Sequence, residues 1–129
     1  MASVNLIHAQ EYDFANNMIR TFFRDKGFVE VPVEHRLTHE LSPLVACEVP
    51  TKVTPFMYSG VLDLLPQTGQ MWLEWELLNN PHIPGFYCHS TSFRDEKNPI
   101  EGRHDLIFPM FEFETHGDIE ALLRLETDL

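Results

Sequence analysis

Residues 93–114 read Phe93-Arg94-Asp95-Glu96-Lys97-Asn98-Pro99-Ile100-Glu101-Gly102-Arg103-His104-Asp105-Leu106-Ile107-Phe108-Pro109-Met110-Phe111-Glu112-Phe113-Glu114. Its two ends, together with the preceding residues from Gly85, are rich in aromatics and alternate in polarity, whereas the middle is polar and broken by Asn98-Pro99 and Gly102. The pattern predicts strands over residues 85–93 and 107–114, paired as an antiparallel hairpin with a long loop.

Working outward, residues 117–129 carry Ile119, Leu122, Leu123 and Leu125 as a helical stripe with no stop signal, so this helix is expected to continue past Leu129. Upstream, Met71, Trp72, Trp75 and Leu78 recur at helical spacing over residues 67–79, with Pro66 before them and Asn79-Asn80-Pro81 closing the run. Residues 34–55 hold Pro43, Pro50 and Pro55 with no sustained period, and read as a long crossing connection containing at most one short strand. A first helix over residues 5–26 has Phe14, Met18, Ile19, Phe22 and Phe23 on its apolar face, and Gly27 stands where a left-handed cap would sit. Phe28-Val29-Glu30-Val31 then alternates as a half-buried strand that Pro32 ends. The expected class is α+β, an antiparallel sheet flanked by helices, in one domain over residues 1–129.

Composition narrows the function. With 20 acidic and 9 basic side chains among 129 residues, the formal charge of −11 opposes a broad grip on nucleic acid, which needs Lys and Arg to displace counterions from phosphates. A tRNA partner would then require a local patch or another domain. Cys47 and Cys88 fit no disulfide framework and read as buried or idle thiols. No apolar run approaches a membrane span and residues 1–10 lack a signal-peptide layout, so a cytoplasmic protein with no membrane partner is expected.

Within the loop, Arg94, Glu96, Lys97, Arg103 and His104 crowd into eleven positions of an otherwise acidic chain. An Arg on a strand can hold a phosphate or carboxylate through its planar fork, a loop cation can meet a terminal phosphate, and an aromatic beyond it can stack on a base. Arg94, His104 and Phe108 match those three roles. The competing reading is a solvated turn whose charges keep a hairpin soluble.

Phe93-Arg94-Asp95-Glu96, a loop, Arg103-His104-Asp105-Leu106-Ile107-Phe108 and Phe113-Glu114 together resemble motif 2 of class II aminoacyl-tRNA synthetases. The resemblance implies ATP as a substrate. Arg94 would contact the α-phosphate and the substrate carboxylate, and Glu96 would lie near the adenine and the tRNA end. His104, with Arg103 as a second candidate, would grip the γ-phosphate, and Phe108 would stack on the adenine. Residues 14–33 resemble motif 1, the dimer-forming helix and strand of the class, which implies a homodimer; here Pro32 follows Val31 directly, where the family usually places its proline one residue later.

A third segment, Thr68-Gly69-Gln70-Met71-Trp72-Leu73-Glu74, is similar to the Ser-Gly-Gln-Leu stretch of asparaginyl-type enzymes. By that resemblance Gln70, with Glu74 one helical turn on, would hold the amino acid, asparagine or aspartate, together with Arg94. Pro66-Gln67 offers a second register, matching the Pro-Gln of aspartyl-type enzymes. Thr68 as a helix cap, and Met71, Trp72 and Trp75 as core, are the plain structural readings. The implied reaction is adenylate formation with Mg2+ offsetting the triphosphate charge, although the family's usual Mg2+ ligands have no counterpart among these residues.

Motif 3 likewise has no counterpart up to Leu129, which implies either the front portion of a catalytic domain or a shortened relative. Three functions follow from the resemblance: amino-acid activation for tRNA, activation for another acceptor as in an ammonia-using asparagine synthetase, or a non-catalytic dimerisation module. A metal site built from His35 and His39, or from His82, Cys88 and His89, is the weakest reading, because isolated histidines more often sit on surfaces or in satisfied cores.

Overall fold

The computed structural model describes residues 8–33 and 54–129. In chain order these form α1 (Ala9–Asp25), β1 (Val29–Glu30), β2 (Thr54–Tyr58), β3 (Val61–Leu65), α2 (Gln70–Asn79), β4 (Gly85–Phe93), β5 (Ile107–Thr115) and α3 (Ile119–Asp128). The α+β class expected from the sequence is the class observed. His35, His39 and Cys47, and most of the expected crossing connection, lie outside the described residues.

The β4–β5 hairpin is the centre of the molecule. It is antiparallel in unbroken register, from Gly85 opposite Thr115 to Phe93 opposite Ile107. β1 joins the other side of β4 in parallel, Val29 opposite Phe86 and Glu30 opposite Tyr87, so the three-stranded sheet is mixed. Parallel pairing is possible because β1 and β4 are far apart in sequence and need no tight turn between them. β2 and β3 pair separately as a two-stranded antiparallel hairpin, which the sequence reading missed. Its turn carries Ser59 and Gly60, both with positive φ, but Pro55 at the start obscured the strand.

Period-two alternation gives the sheet two faces with separate cores. Toward α1, Phe23, Phe28 and Tyr87 are buried and Ile19, Phe22, Phe111, Phe113 and Leu125 pack around them. Phe23 is fully buried, with ring centroids 4.9–5.5 Å from those of Phe28, Tyr87, Phe111 and Phe113. Gly27, at φ 81°, turns the chain from α1 into β1 in a conformation that side chains with a Cβ resist. Glu30 then faces back toward α1, accepting from Arg20 at 2.8 Å, Arg24 at 3.3 Å and the Tyr87 hydroxyl at 3.3 Å.

Toward α2, Val31, Val33, Trp72, Leu73, Phe86 and Cys88 form the second core. The buried side of α2 runs through Trp72, Leu73 and Leu77, whereas Trp75 and Leu78 are exposed. The expected stripe of Met71, Trp72, Trp75 and Leu78, with Trp75 in the core, is therefore corrected by a rotation of the helix. The helix also starts at Gln70, because residues 66–69 are held flat against the sheet instead of coiling. In α1 the expected stripe is buried only at its C-terminal end; Phe14 and Met18 are exposed, since the sheet lies beside the last turns of the helix.

Candidate functional site

The face of β4 toward α2 carries Cys88, Ser90 and Ser92, all buried. Their small side chains let the backbone of residues 66–69 come close. Phe93 N–H donates to the Pro66 carbonyl at 2.9 Å, and the Ser92 hydroxyl donates to the Gln67 carbonyl at 2.7 Å. One step further along, the Thr68 and Ser90 hydroxyls and the Gly69 N–H (2.7 Å) all donate to the Glu112 carboxylate on β5. A Cβ at Gly69 would lie 2.6 Å from Cys88 Sγ and 2.9 Å from Glu112 Oε2, so this approach requires glycine.

Thr68 is not the N-cap expected as its plain role. The N-cap position is Gly69, and the Thr68 hydroxyl accepts from Gln70 N–H at 3.1 Å while donating to Glu112. Gln70 thus begins α2 at the rim of an open cleft of about 510 Å³, bounded by β5 and α3 and lined by Gln70, Met110, Glu112, Glu114, Asp118 and Leu122. That volume lies in the usual range of small-molecule sites, roughly 300–1,000 Å³. Four of the lining residues are acidic (Glu112, Glu114, Asp118 and Glu126) and none is basic. Burial, followed by the charges of Glu74 and Glu112, pushes the Glu114 carboxyl above its ordinary range. Glu74 therefore acts electrostatically on the cleft from the exposed side of α2.

Toward the loop end of the hairpin the chemistry reverses. Arg94, whose N–H donates to the Leu106 carbonyl at 2.8 Å, holds its guanidinium carbon 5.8 Å from the Phe108 ring centroid. Phe108, Met110, Glu112 and Glu114 follow one another at two-residue spacing on the α2 side of β5, whereas the acidic cleft, which Phe111 and Phe113 of the opposite face also line, runs along the edge of that strand against α3. Glu96 is half-buried beside this pair in sequence. Arg103 and His104 are exposed in the loop, where both backbone N–H groups donate to the Ile100 carbonyl and His104 Nδ1 accepts from Ile100 N–H at 3.3 Å. Neither lines the cleft.

The structure thus brings Arg94 to Phe108 and Gln70 to the acidic cleft, and leaves His104 and Arg103 at the loop surface. Glu112 and Ser90 were missed from the sequence. The signal for Glu112 was an acid on the inward-facing position of an aromatic strand, Phe111-Glu112-Phe113. Among the described residues no group of three or more His, Cys, Asp or Glu is arranged to hold a metal ion. The His82, Cys88 and His89 reading fails because neighbours on a strand point to opposite faces: Cys88 packs toward α2, and His89 lies edge-on to Phe111, 5.0 Å away, on the α1 side. Among the described residues, no helix is long and apolar enough to cross a membrane.

A hairpin of this register, backed by one helix and faced by a second whose first turn is stitched to it, has the fold of the class II aminoacyl-tRNA synthetase catalytic domain. Two solved structures carry the likeness. The asparaginyl-tRNA synthetase of Pyrococcus horikoshii, complexed with asparaginyl-adenylate, is similar at a TM-score of 0.63 and 24% identity over 83% of this chain and 23% of its own. The Entamoeba histolytica asparaginyl-tRNA synthetase is similar at a TM-score of 0.61 and 21% identity over 84% of this chain and 22% of its own. This chain therefore spans about a quarter of the length of the solved structures it resembles. No family model and no curated protein sequence matches it.

Proposed function

We propose that this protein takes part in ATP-dependent activation of an amino acid, asparagine or aspartate, as a step of tRNA aminoacylation. The observation that carries the reading is the polarity along one strand, β5: a cation over an aromatic ring near its start, and an acidic cleft with an amide at its rim toward its end. A nucleotide phosphate and base suit the first, and an amino-acid ammonium suits the second. In the reaction an oxygen of the amino-acid carboxylate forms a bond to the α-phosphorus of ATP, and the bond from that phosphorus to the bridging oxygen breaks, releasing pyrophosphate. Arg94 would hold the α-phosphate and the carboxylate in line and offset the charge that gathers there. Phe108 would support the adenine, with Glu96 near it, and Gln70 and Glu74 would orient the amino acid. His104 or Arg103 would meet the γ-phosphate. No residue here is assigned to Mg2+.

The likeness to a structure solved with asparaginyl-adenylate supports the substrate class, and a homodimer through the α1–β1 segment goes with the same reading. The test is amino-acid-dependent exchange of labelled pyrophosphate into ATP. The protein in its full-length form should support it, and Arg94→Ala should reduce it by at least about a hundredfold, the scale of losing a preorganised charge donor. Unchanged exchange in that variant would remove Arg94 from the site. The charge of −11 favours a second reading, in which the adenylate is passed to a small nucleophile such as ammonia. Product analysis with tRNA and with ammonium salts separates the two.

A further inference from the structure

We infer that Glu112 is a positioning residue for the amino-acid end of the site, fixing the turn that presents Gln70 to the cleft. Glu112 is 5% exposed, and the three donors to its carboxylate are all neutral: the Thr68 hydroxyl on Oε1, and the Gly69 N–H and Ser90 hydroxyl on Oε2. The Gln70 N–H donates in turn to the Thr68 hydroxyl oxygen, so an unbroken chain of hydrogen bonds runs from Gln70 through Thr68 to Glu112. A buried carboxylate is expensive unless its lone pairs are met, and here three elements converge to meet them: the turn before α2, β4 and β5 itself. The acid also faces the first turn of α2, where the backbone N–H groups and the helix dipole favour negative charge.

Holding a turn needs only an acceptor, and a neutral amide would supply one. A carboxylate accepts from all three donors at once and offers no N–H in return, so it leaves the turn a single low-energy arrangement. Gly69 completes the device, because any Cβ there would collide with Cys88 and with the carboxylate itself. The backbone of Gln70 is consequently held at the rim of the cleft that Glu112 and Glu114 also line.

This inference rests on the proposal that Gln70 contacts the amino acid, and the experiment separates the two. Glu112→Gln keeps the shape but puts an NH2 where an oxygen accepted; Thr68→Val removes one link of the same chain without touching the acid, should the first variant fold poorly. Amide hydrogen exchange and the Michaelis constants for amino acid and ATP are measured on the full chain. The expectation is exchange at Gly69 and Gln70 faster by about tenfold or more, with Tyr87 unchanged, and an amino-acid KM raised about tenfold while the ATP KM stays within about twofold. Unchanged exchange at Gly69 and Gln70 in folded variants would overturn the clamp. An equal rise in both KM values would overturn the positioning role in favour of general loosening. Absence of amino-acid-dependent pyrophosphate exchange in the unmodified protein would sink the enzymatic reading alone, and the amide exchange at Gly69 would still decide the clamp.

Discussion

Gly69→Ala should destabilise the protein although its backbone conformation, φ −89° and ψ −10°, is one that alanine adopts freely. On propensity alone the substitution would be close to neutral. Packing decides the sign: the added methyl would lie 2.6 Å from Cys88 Sγ and 2.9 Å from Glu112 Oε2. Neither neighbour can retreat, since Cys88 is fully buried in the α2-side core and Glu112 is held by three donors. Overpacking costs about 1–3 kcal/mol, and displacing the Gly69 N–H from a charged acceptor costs about 1.5–3 kcal/mol if the bond is lost. Because one shift of the turn relieves part of both, we expect a loss of about 2–4 kcal/mol. Urea unfolding followed by the fluorescence of Trp72, buried beside the turn, gives the value, with the slope required to match the unmodified protein. Cys88→Ala in the same chain removes the nearest atom and should recover at least about 1 kcal/mol of the Gly69→Ala loss in a double-mutant cycle. A Gly69→Ala protein within about 0.5 kcal/mol of the parent would refute the close-packed turn.

Three further outcomes are expected. Burial opposes ionisation of Glu30, but the Arg20 hydrogen bond and charge, aided by Tyr87 and Arg24, outweigh it and hold the carboxyl below its ordinary value. Its stabilisation is thus present above the unfolded-state carboxylate range and lost as pH falls through the lowered value, so Glu30→Gln should cost stability at neutral pH and converge with the parent in acid. Glu114 has the opposite sign: its folded-state carboxyl is raised by burial and by Glu74 and Glu112, so its contribution is favourable in acid and is lost as pH rises through the raised value. Glu114→Gln should accordingly be more stable than the parent near pH 7, with the gain vanishing on acidification, and Glu74→Gln should lower the Glu114 titration midpoint seen by carboxyl NMR. Finally, if the exposed His104 meets the γ-phosphate, His104→Ala should weaken ATP binding severalfold by titration calorimetry while leaving thermal stability unchanged; equal affinity would remove it from the site.

Residues 85–114 declared their structure because alternation, aromatic content and an Asn-Pro and Gly break agree locally; the hairpin formed over nearly the limits read from the sequence. The helix, Gly27 and β1 were legible for the same reason, as each signal is confined to a few neighbouring residues. The fold that these elements build is the one the motif resemblance implied, and Arg94 lies over Phe108, whereas the placing of Gln70 beside Glu112 and Glu114 was not read from the sequence. The β2–β3 hairpin and the rotation of α2 were not legible. Both depend on partners distant in sequence, and Pro55 in one case and a continuous run of apolar residues in the other masked the local pattern.

The sequence by itself determined the types and order of the main elements, because hydrophobic period and turn chemistry are properties of short windows. Its residue chemistry singled out Arg94, His104 and Phe108 as candidates, and the motif resemblance added Gln70. Only the tertiary structure decided which faces meet: that Trp72 and not Trp75 is buried, that β1 enters the sheet in parallel, and that Glu112, 42 residues after Gln70, anchors the turn that precedes it. A buried carboxylate is tolerable only where donors from several segments converge on it, and that convergence exists nowhere along the chain until it is folded.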